Sequence, residues 1–348
     1  MTAATQPGMF NDIPVIDLAP LRQNTEVGLR RVAGAIRDAY SQVGFAYLIN
    51  HGIAQSLIDN LFEASRQFHA LPREDKMKIE VNAFHRGFIP INTSTVKTSS
   101  VANVTRPNQS ESFMMMHDLP DDDPDVLVGA PLAGPNQWPE RLPSFRPVVM
   151  AYNDAMVRLG RQLVRAISVA LGGGTHDLDA YFERPTTFLR LLSYPEQPLR
   201  SPEDLFGSAP HTDYGFITIL IQDDAGGLQV RNVAGEWIDA PYRPGTFVMN
   251  SADILHRWSN GRFISTPHRV INRSGRTRYS CPFFFDPDMH ATIAPLPSCV
   301  SDEAPSAYSP VVFGDYLMER LHKNYNQHQK RFSLTTQAAI SGTVKRFV

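Results

Sequence analysis

The spacing of apolar residues divides the chain into a helix-rich first half and a strand-rich second half. Residues 13–18 (IPVIDL) predict a short strand, with Pro14 at its start, where proline is tolerated. Residues 26–43 carry Val32, Ile36, Ala39, Tyr40 and Val43 at helical spacing. GFAYLIN, residues 44–50, predicts another strand, followed by a turn at His51-Gly52. Helical spacing returns over 55–70 through Ile58, Leu61, Phe62 and Phe68, and Pro72 ends it. Residues 84–143 are irregular and rich in Pro, Asn, Ser and Asp, a length that predicts a lid or binding loop. Within it, the run at 118–125 with Asp121, Asp122 and Asp123 reads as a solvated loop. A long amphipathic helix is predicted over 145–171, stopped by Gly172, Gly173 and Gly174.

From residue 186 the period changes. FLRLLSY, FITILIQD, GLQV, TFVMN, STPHRVIN and RYSCPFFF are short apolar or alternating segments separated by Gly, Pro, Asn and Asp. That spacing predicts a mainly β fold with flanking helices, built on a jelly-roll sandwich or barrel. A last helix, about 311–329, is expected to pack on its outside. With no internal repeat or linker, a single catalytic domain over 1–348 is expected. It would hold an N-terminal helix and strand region with its lid at 10–125 and a jelly-roll core at 186–290.

Composition narrows the function classes. The 348 residues are 42% hydrophobic, enough for a full core, and the net charge of -2 leaves no broad basic face for nucleic acid. No apolar run approaches the ~18 residues that span a membrane, and the first residues lack the basic and apolar regions of a signal peptide. Cys281 and Cys299 make no disulfide framework or CxxC pair, which suits a reducing cytoplasm. The expected partner is a small molecule, and the expected state a monomer or homodimer.

The candidate chemistry lies in the β half. His211 and Asp213 are one residue apart, so in an extended segment both side chains share a face. His268 could complete the set from a partner strand. Two imidazoles and one carboxylate leave adjacent coordination positions open, the arrangement of non-haem iron(II) oxygenases. Arg278 and Ser280, in RYS, would share a strand face, and a guanidinium beside a hydroxyl suits the distal carboxylate of a dicarboxylic acid.

The set HTDYGFITILIQD, GGLQV, GTFVMNSADILHRWSNGRFISTPHRV and RYS, with IPVIDL and GFAYLINHGI before it, resembles the iron(II)/2-oxoglutarate-dependent oxygenases of the isopenicillin N synthase-like group. The resemblance runs from about 12 to 325. It implies a double-stranded β-helix (jelly roll, cupin-like), a dioxygenase using O2, and Fe(II) on His211, Asp213 and His268. It further implies 2-oxoglutarate held by Arg278, Ser280 and Tyr194, and hydroxylation of a C–H bond as the default reaction. FLRLLSYP looks like the branch with fungal thymine hydroxylase and the bacterial ethylene-forming enzyme. In that branch a residue matching Arg190 touches co-substrate or substrate, and residues matching Tyr214 and Phe284 line the pocket. Leu192 stands where many plant members have Asn.

Other residues are weaker candidates. His85 and Arg86 lie in the expected lid and could reach substrate, and Phe113 could line the pocket or the core. His256 is expected in the barrel wall or at the surface, and Cys281 buried and inert. Two alternatives stay open at this point. One is an oxidase of the isopenicillin N synthase type, working without 2-oxoglutarate. The other is a non-catalytic cupin-like binding protein.

Overall fold

The computed structural model describes residues 9–197, 202 and 204–325. In chain order the helices are α1 (Ala19–Arg22), α2 (Glu26–Gln42), α3 (Gln55–His69), α4 (Arg73–Met77), α5 (Pro124–Leu127), α6 (Phe145–Ala170), α7 (Asp253–Trp258) and α8 (Phe313–Asn324). The strands are β1 (Val15–Asp17), β2 (Phe45–Ile49), β3 (Gly87–Ile89), β4 (Glu111–Met116), β5 (Thr186–Tyr194), β6 (Ser208–His211), β7 (Ile217–Gln222), β8 (Leu228–Arg231), β9 (Trp237–Asp239), β10 (Phe247–Ser251), β11 (His268–Val270), β12 (Arg278–Asp286), β13 (Thr292–Ile293) and β14 (Val311–Val312).

An eight-stranded sheet runs β1-β2-β10-β7-β12-β5-β4-β3, and a four-stranded sheet runs β6-β11-β8-β9. The pleat of the large sheet sorts its side chains into two sets. Ile217, Ile219 and Ile221 of β7, Phe247 and Met249 of β10, and Cys281, Phe283 and Phe285 of β12 join the core that also takes Ile36 and Tyr40 of α2 and Leu159 and Leu163 of α6. The alternate residues pack in a second core with the small sheet. There Leu192 and Tyr194 of β5 and Val248 of β10 meet Leu228 and Val230 of β8 and Val270 of β11. The result is a jelly-roll double-stranded β-helix with helices covering one face.

The helices follow their sequence signals. Thr25 caps α2 by accepting the Gly28 amide, and α2 then buries Val32, Ala33, Ile36, Ala39 and Tyr40. The C-terminus of α6 is closed by Gly172 at φ 85 and by the Gly173 amide donating back to Ser168.

Two expectations need correction. The stretch 84–143 is not wholly irregular, because β3 and β4 extend the large sheet at its edge, with β4 pairing along β5. ESFMMM is a short apolar run without alternation, and a strand buried on both faces has none to show. The last helix does not simply pack outside the barrel. Leu317, Leu321 and Asn324 of α8 line the cavity described below. Positions 326–329 of that expected helix lie outside the described residues.

Candidate functional site

The inner face of the sandwich gathers polar side chains that alternation places there: Arg190 on β5, Thr218 and Gln222 on β7, Asn250 on β10, Arg278 and Ser280 on β12. His211 ends β6 and its Cα partner across the ladder is His268 of β11. Asp213 lies beyond the end of β6, so a loop, rather than strand alternation, aims it at the imidazoles. Asp213 Oδ1 stands 3.6 Å from His211 Nε2 and 3.7 Å from His268 Nε2. One donor atom from each residue falls within 4.8 Å of the others.

The surroundings orient these atoms. His211 Nδ1 lies 2.7 Å from the Ala209 carbonyl and His268 Nδ1 3.3 Å from that of Thr266. Donation there places the proton on Nδ1 and leaves the Nε2 lone pairs free toward Asp213. Asp213 Oδ2 accepts from Thr218 Oγ1 at 2.5 Å and Asn250 Nδ2 at 2.8 Å, which leaves Oδ1 free. Burial holds the His211 imidazole below its usual range, helped by His268. Burial works against the Asp213 charge, but the two imidazoles and both hydrogen bonds outweigh it and hold that carboxyl below the usual range. Two imidazoles and one carboxylate, each braced on its far side, fit a divalent transition metal with open positions.

Beside the triad a cavity extends to Arg278 and Ser280, lined also by Leu192, Tyr194, Asn250 and Arg190. Arg278 is fully buried. Its Nε donates to the Gly226 carbonyl at 2.6 Å, Nη1 to Ser280 Oγ at 3.0 Å and Nη2 to Gln222 Oε1 at 3.0 Å. The guanidinium lies 4.7 Å from the centroid of the Tyr194 ring. Among the described residues no carboxylate forms an ion pair with it, and a buried unpaired cation is costly. An anionic ligand in this cavity would complete it.

A second cavity opens on the other side of the triad. His85, Phe188, Tyr214 and Phe284 line it, and α8 contributes Leu317, Leu321 and Asn324, with Tyr325 following. Arg190 borders both cavities, its Nε donating to Ser112 Oγ at 2.8 Å and its Nη1 to the Tyr325 hydroxyl at 3.3 Å. Asn324 joins three parts of the wall. It donates to the Tyr214 hydroxyl at 2.6 Å and accepts from the Lys97 amide at 2.8 Å. Arg320, one turn earlier, donates to Asp253 Oδ2 at 3.1 Å, while the Asp253 amide donates to the Asp213 carbonyl at 2.9 Å. Asp286 also lies in this wall, and burial lifts its carboxyl to about 7.

Two expected pocket residues are placed elsewhere. Phe113 is fully buried in the core, its ring centroid 4.8 Å from Phe145 and 5.3 Å from Phe68. Arg86 is also fully buried. Its guanidinium donates to the backbone carbonyls of Phe84, Leu132 and His117, so it braces the wall from behind. The residue before it, His85, is the one that reaches the cavity, at a φ of 63. His256 belongs to α7 and bonds the Phe263 carbonyl and Tyr308, not the barrel wall. Asp123 is not simply solvated, since it caps α5 and pairs with Arg184. Cys281 is buried, and burial pushes its thiol far up.

Sequence reasoning missed Thr218, Gln222 and Asn250. A signal existed, because each is a polar residue set in an apolar strand. It also missed Asn324 and Asp286, whose neighbours in sequence say nothing of the cavity.

Comparison with known proteins agrees with this geometry. Residues 185–287 match the model of the 2OG-Fe(II) oxygenase superfamily. Residues 13–141 match that of the non-haem dioxygenase N-terminal region, described from morphine synthesis. A homoarginine-6-hydroxylase of Arabidopsis thaliana is 32% identical, over 91% of this chain and 98% of that protein. The 2-oxoglutarate-Fe(II) type oxidoreductase hxnY of Emericella nidulans is 31% identical, over 90% of each. The crystal structure of the full-length thymine hydroxylase of Neurospora crassa with alpha-KG and thymine superposes with a TM-score of 0.78 at 29% identity, covering 89% of this chain and 96% of that one.

Proposed function

We propose that this chain, which belongs to the 2OG-Fe(II) oxygenase superfamily, hydroxylates a small nitrogen-containing or flat cyclic molecule at iron held by His211, Asp213 and His268. As a member it is an iron(II)- and 2-oxoglutarate-dependent dioxygenase, an oxidoreductase that converts 2-oxoglutarate to succinate and carbon dioxide. When bound, iron(II) supplies the redox chemistry that puts one atom of O2 into succinate and the other into the substrate. The protein supplies position and exclusion of water.

The observation that carries the residue assignments is the buried Arg278 guanidinium, with which no carboxylate among the described residues forms an ion pair. In this reading Arg278 and Ser280 take the distal carboxylate of 2-oxoglutarate, Gln222 and the Gly226 carbonyl fix the fork, and Tyr194 covers its face. Arg190 stands between co-substrate and substrate, and its hydrogen bonds to Ser112 and Tyr325 fix its plane. Tyr214 and Phe284 present rings to the substrate, and His85 lines the same cavity. Leu317 and Leu321 of α8 keep water from the reacting carbon. Homoarginine and thymine, named for the relatives, mark the size and chemistry of substrate to try. Both cysteines are free and buried, which fits a reducing compartment. No described helix is long and apolar enough to cross a membrane.

The test is iron-dependent succinate formation from 2-oxoglutarate and O2, in the wild type and in Arg278→Ala. Loss in the variant supports the assignment. Undiminished succinate at low 2-oxoglutarate would remove Arg278 from the site.

A further inference from the structure

We infer that Asp286 is the polar anchor that selects the substrate, and that the cavity takes a compound presenting a planar N–H donor group, such as a guanidinium or a cyclic imide. The inference rests on reading this cavity as the substrate chamber of a dioxygenase, and it goes further by naming the group that is recognised.

Asp286 ends β12 and is 3% exposed, yet it lies in the cavity wall. Its Oδ1 accepts the Phe216 amide at 2.6 Å. The carboxyl sits so close over the turn that a Cβ on Gly215 would meet Oδ1 at 1.8 Å and Oδ2 at 2.5 Å, so a side chain there would displace it. Among the described residues no donor reaches Oδ2, and none forms an ion pair with Asp286. Oδ2 belongs to a residue of the cavity lining and keeps its acceptor capacity, so a ligand donor entering the cavity would gain a hydrogen bond there. Two-residue alternation along β12 puts Asp286 on the same face as Phe284, Ser280 and Arg278. One strand therefore carries the co-substrate contacts at its start and the substrate contacts at its end. Phe284 and Phe188, their rings edge to face with centroids 6.3 Å apart, border the space next to Asp286 and favour a flat group over a bulky one.

The experiment is calorimetric titration of the full-length chain, loaded anaerobically with iron(II) and 2-oxoglutarate so that binding is read without turnover. L-homoarginine and thymine serve as the charged and uncharged N–H probes. L-norleucine and 1,3-dimethylthymine are their counterparts without those donors. At least one N–H probe is expected to bind, with its counterpart about tenfold weaker or worse, the size of one good hydrogen bond to a buried carboxyl. Binding confined to L-homoarginine identifies a cationic donor, and binding confined to thymine an imide edge.

Asp286→Asn keeps an acceptor for the Phe216 amide but can turn a donor toward the cavity. It is expected to weaken the bound probe by a similar factor, with the Kd for 2-oxoglutarate unmoved. Any of these results would overturn the inference: no binding of either N–H probe to the wild type, equal binding of the donor-free counterparts, or wild-type affinity in the variant. A parallel loss of 2-oxoglutarate affinity would also overturn it, because the carboxyl would then only brace the turn. The comparison of probes on the wild type stands even if the variant fails to fold. Absence of iron-dependent succinate in the wild type is a separate failure, of the dioxygenase reading itself.

Discussion

The two cavities on either side of His211, Asp213 and His268 are built by different means. The one toward Arg278 is made almost entirely of strand residues whose direction follows from the pleat. Each key group there is held more than once: Asp213 by Thr218 and Asn250, Arg278 by Ser280, Gln222 and the Gly226 carbonyl. The cavity toward Tyr214 is assembled from distant pieces, the 84–98 segment, the turn after Asp213, and α8, joined largely through Asn324. The co-substrate side sits on the strand frame, whereas the substrate side adds loops and α8 to the Phe188, Phe284 and Asp286 side chains that the frame sends into it.

Five substitutions would break or sharpen that contrast. The largest effect is expected at the triad. His211→Ala or Asp213→Ala should bring iron content and succinate formation to background, read by metal analysis and product assay. Retained activity in either would end the ligand assignment. Next, Arg278→Ala should raise the Kd for 2-oxoglutarate about a hundredfold, taking about 1.5 kcal/mol for each of two charge-assisted bonds. Iron content should hold.

Asn324→Ala should act only on the other side. The KM for substrate should rise about tenfold through loss of the Tyr214 bond and the loop contact, while the KM for 2-oxoglutarate stays put. Equal changes in both constants would show that the two sides are not separable. The smallest effect concerns stability. Burial raises the folded-state pKa of Asp286 from 3.8 to about 7. The folded chain thus keeps a proton that the unfolded chain has lost. Stability tied to this group is full below pH 3.8 and declines as pH rises through about 7. Relative to Asp286→Asn, the wild-type melting temperature should fall by a few degrees between pH 4 and 7. Parallel curves would mean the carboxyl ionises freely.

The same division explains what could be read from sequence. RYS was legible because a period of two fixes a face; the same argument grouped His211 with Asp213, although the loop after β6 is what aims Asp213. Placing β5, β7, β10 and β12 as strands followed from the same pattern. The other wall was not legible. Amphipathic spacing shows that α8 buries one face but not what that face meets, so the helix was expected outside the barrel. His85 and Arg86 are adjacent, and only the backbone at His85, with its positive φ, decides which one enters the cavity. Phe113 carried no sign of its strand because β4 is buried on both sides.

The alternation along β7 and β12 also has a hereditary consequence. A one-residue slip in the register of the whole of β7 would turn Thr218 and Gln222 toward the helices and bring Ile217, Ile219 and Ile221 to the metal side. A single such event would erase the supports of Asp213 and Arg278 together and fill the site with hydrocarbon. Lineages of this fold can therefore vary in length between the strands, where loops and helices meet substrate. Within these strands they can drift only by substitution.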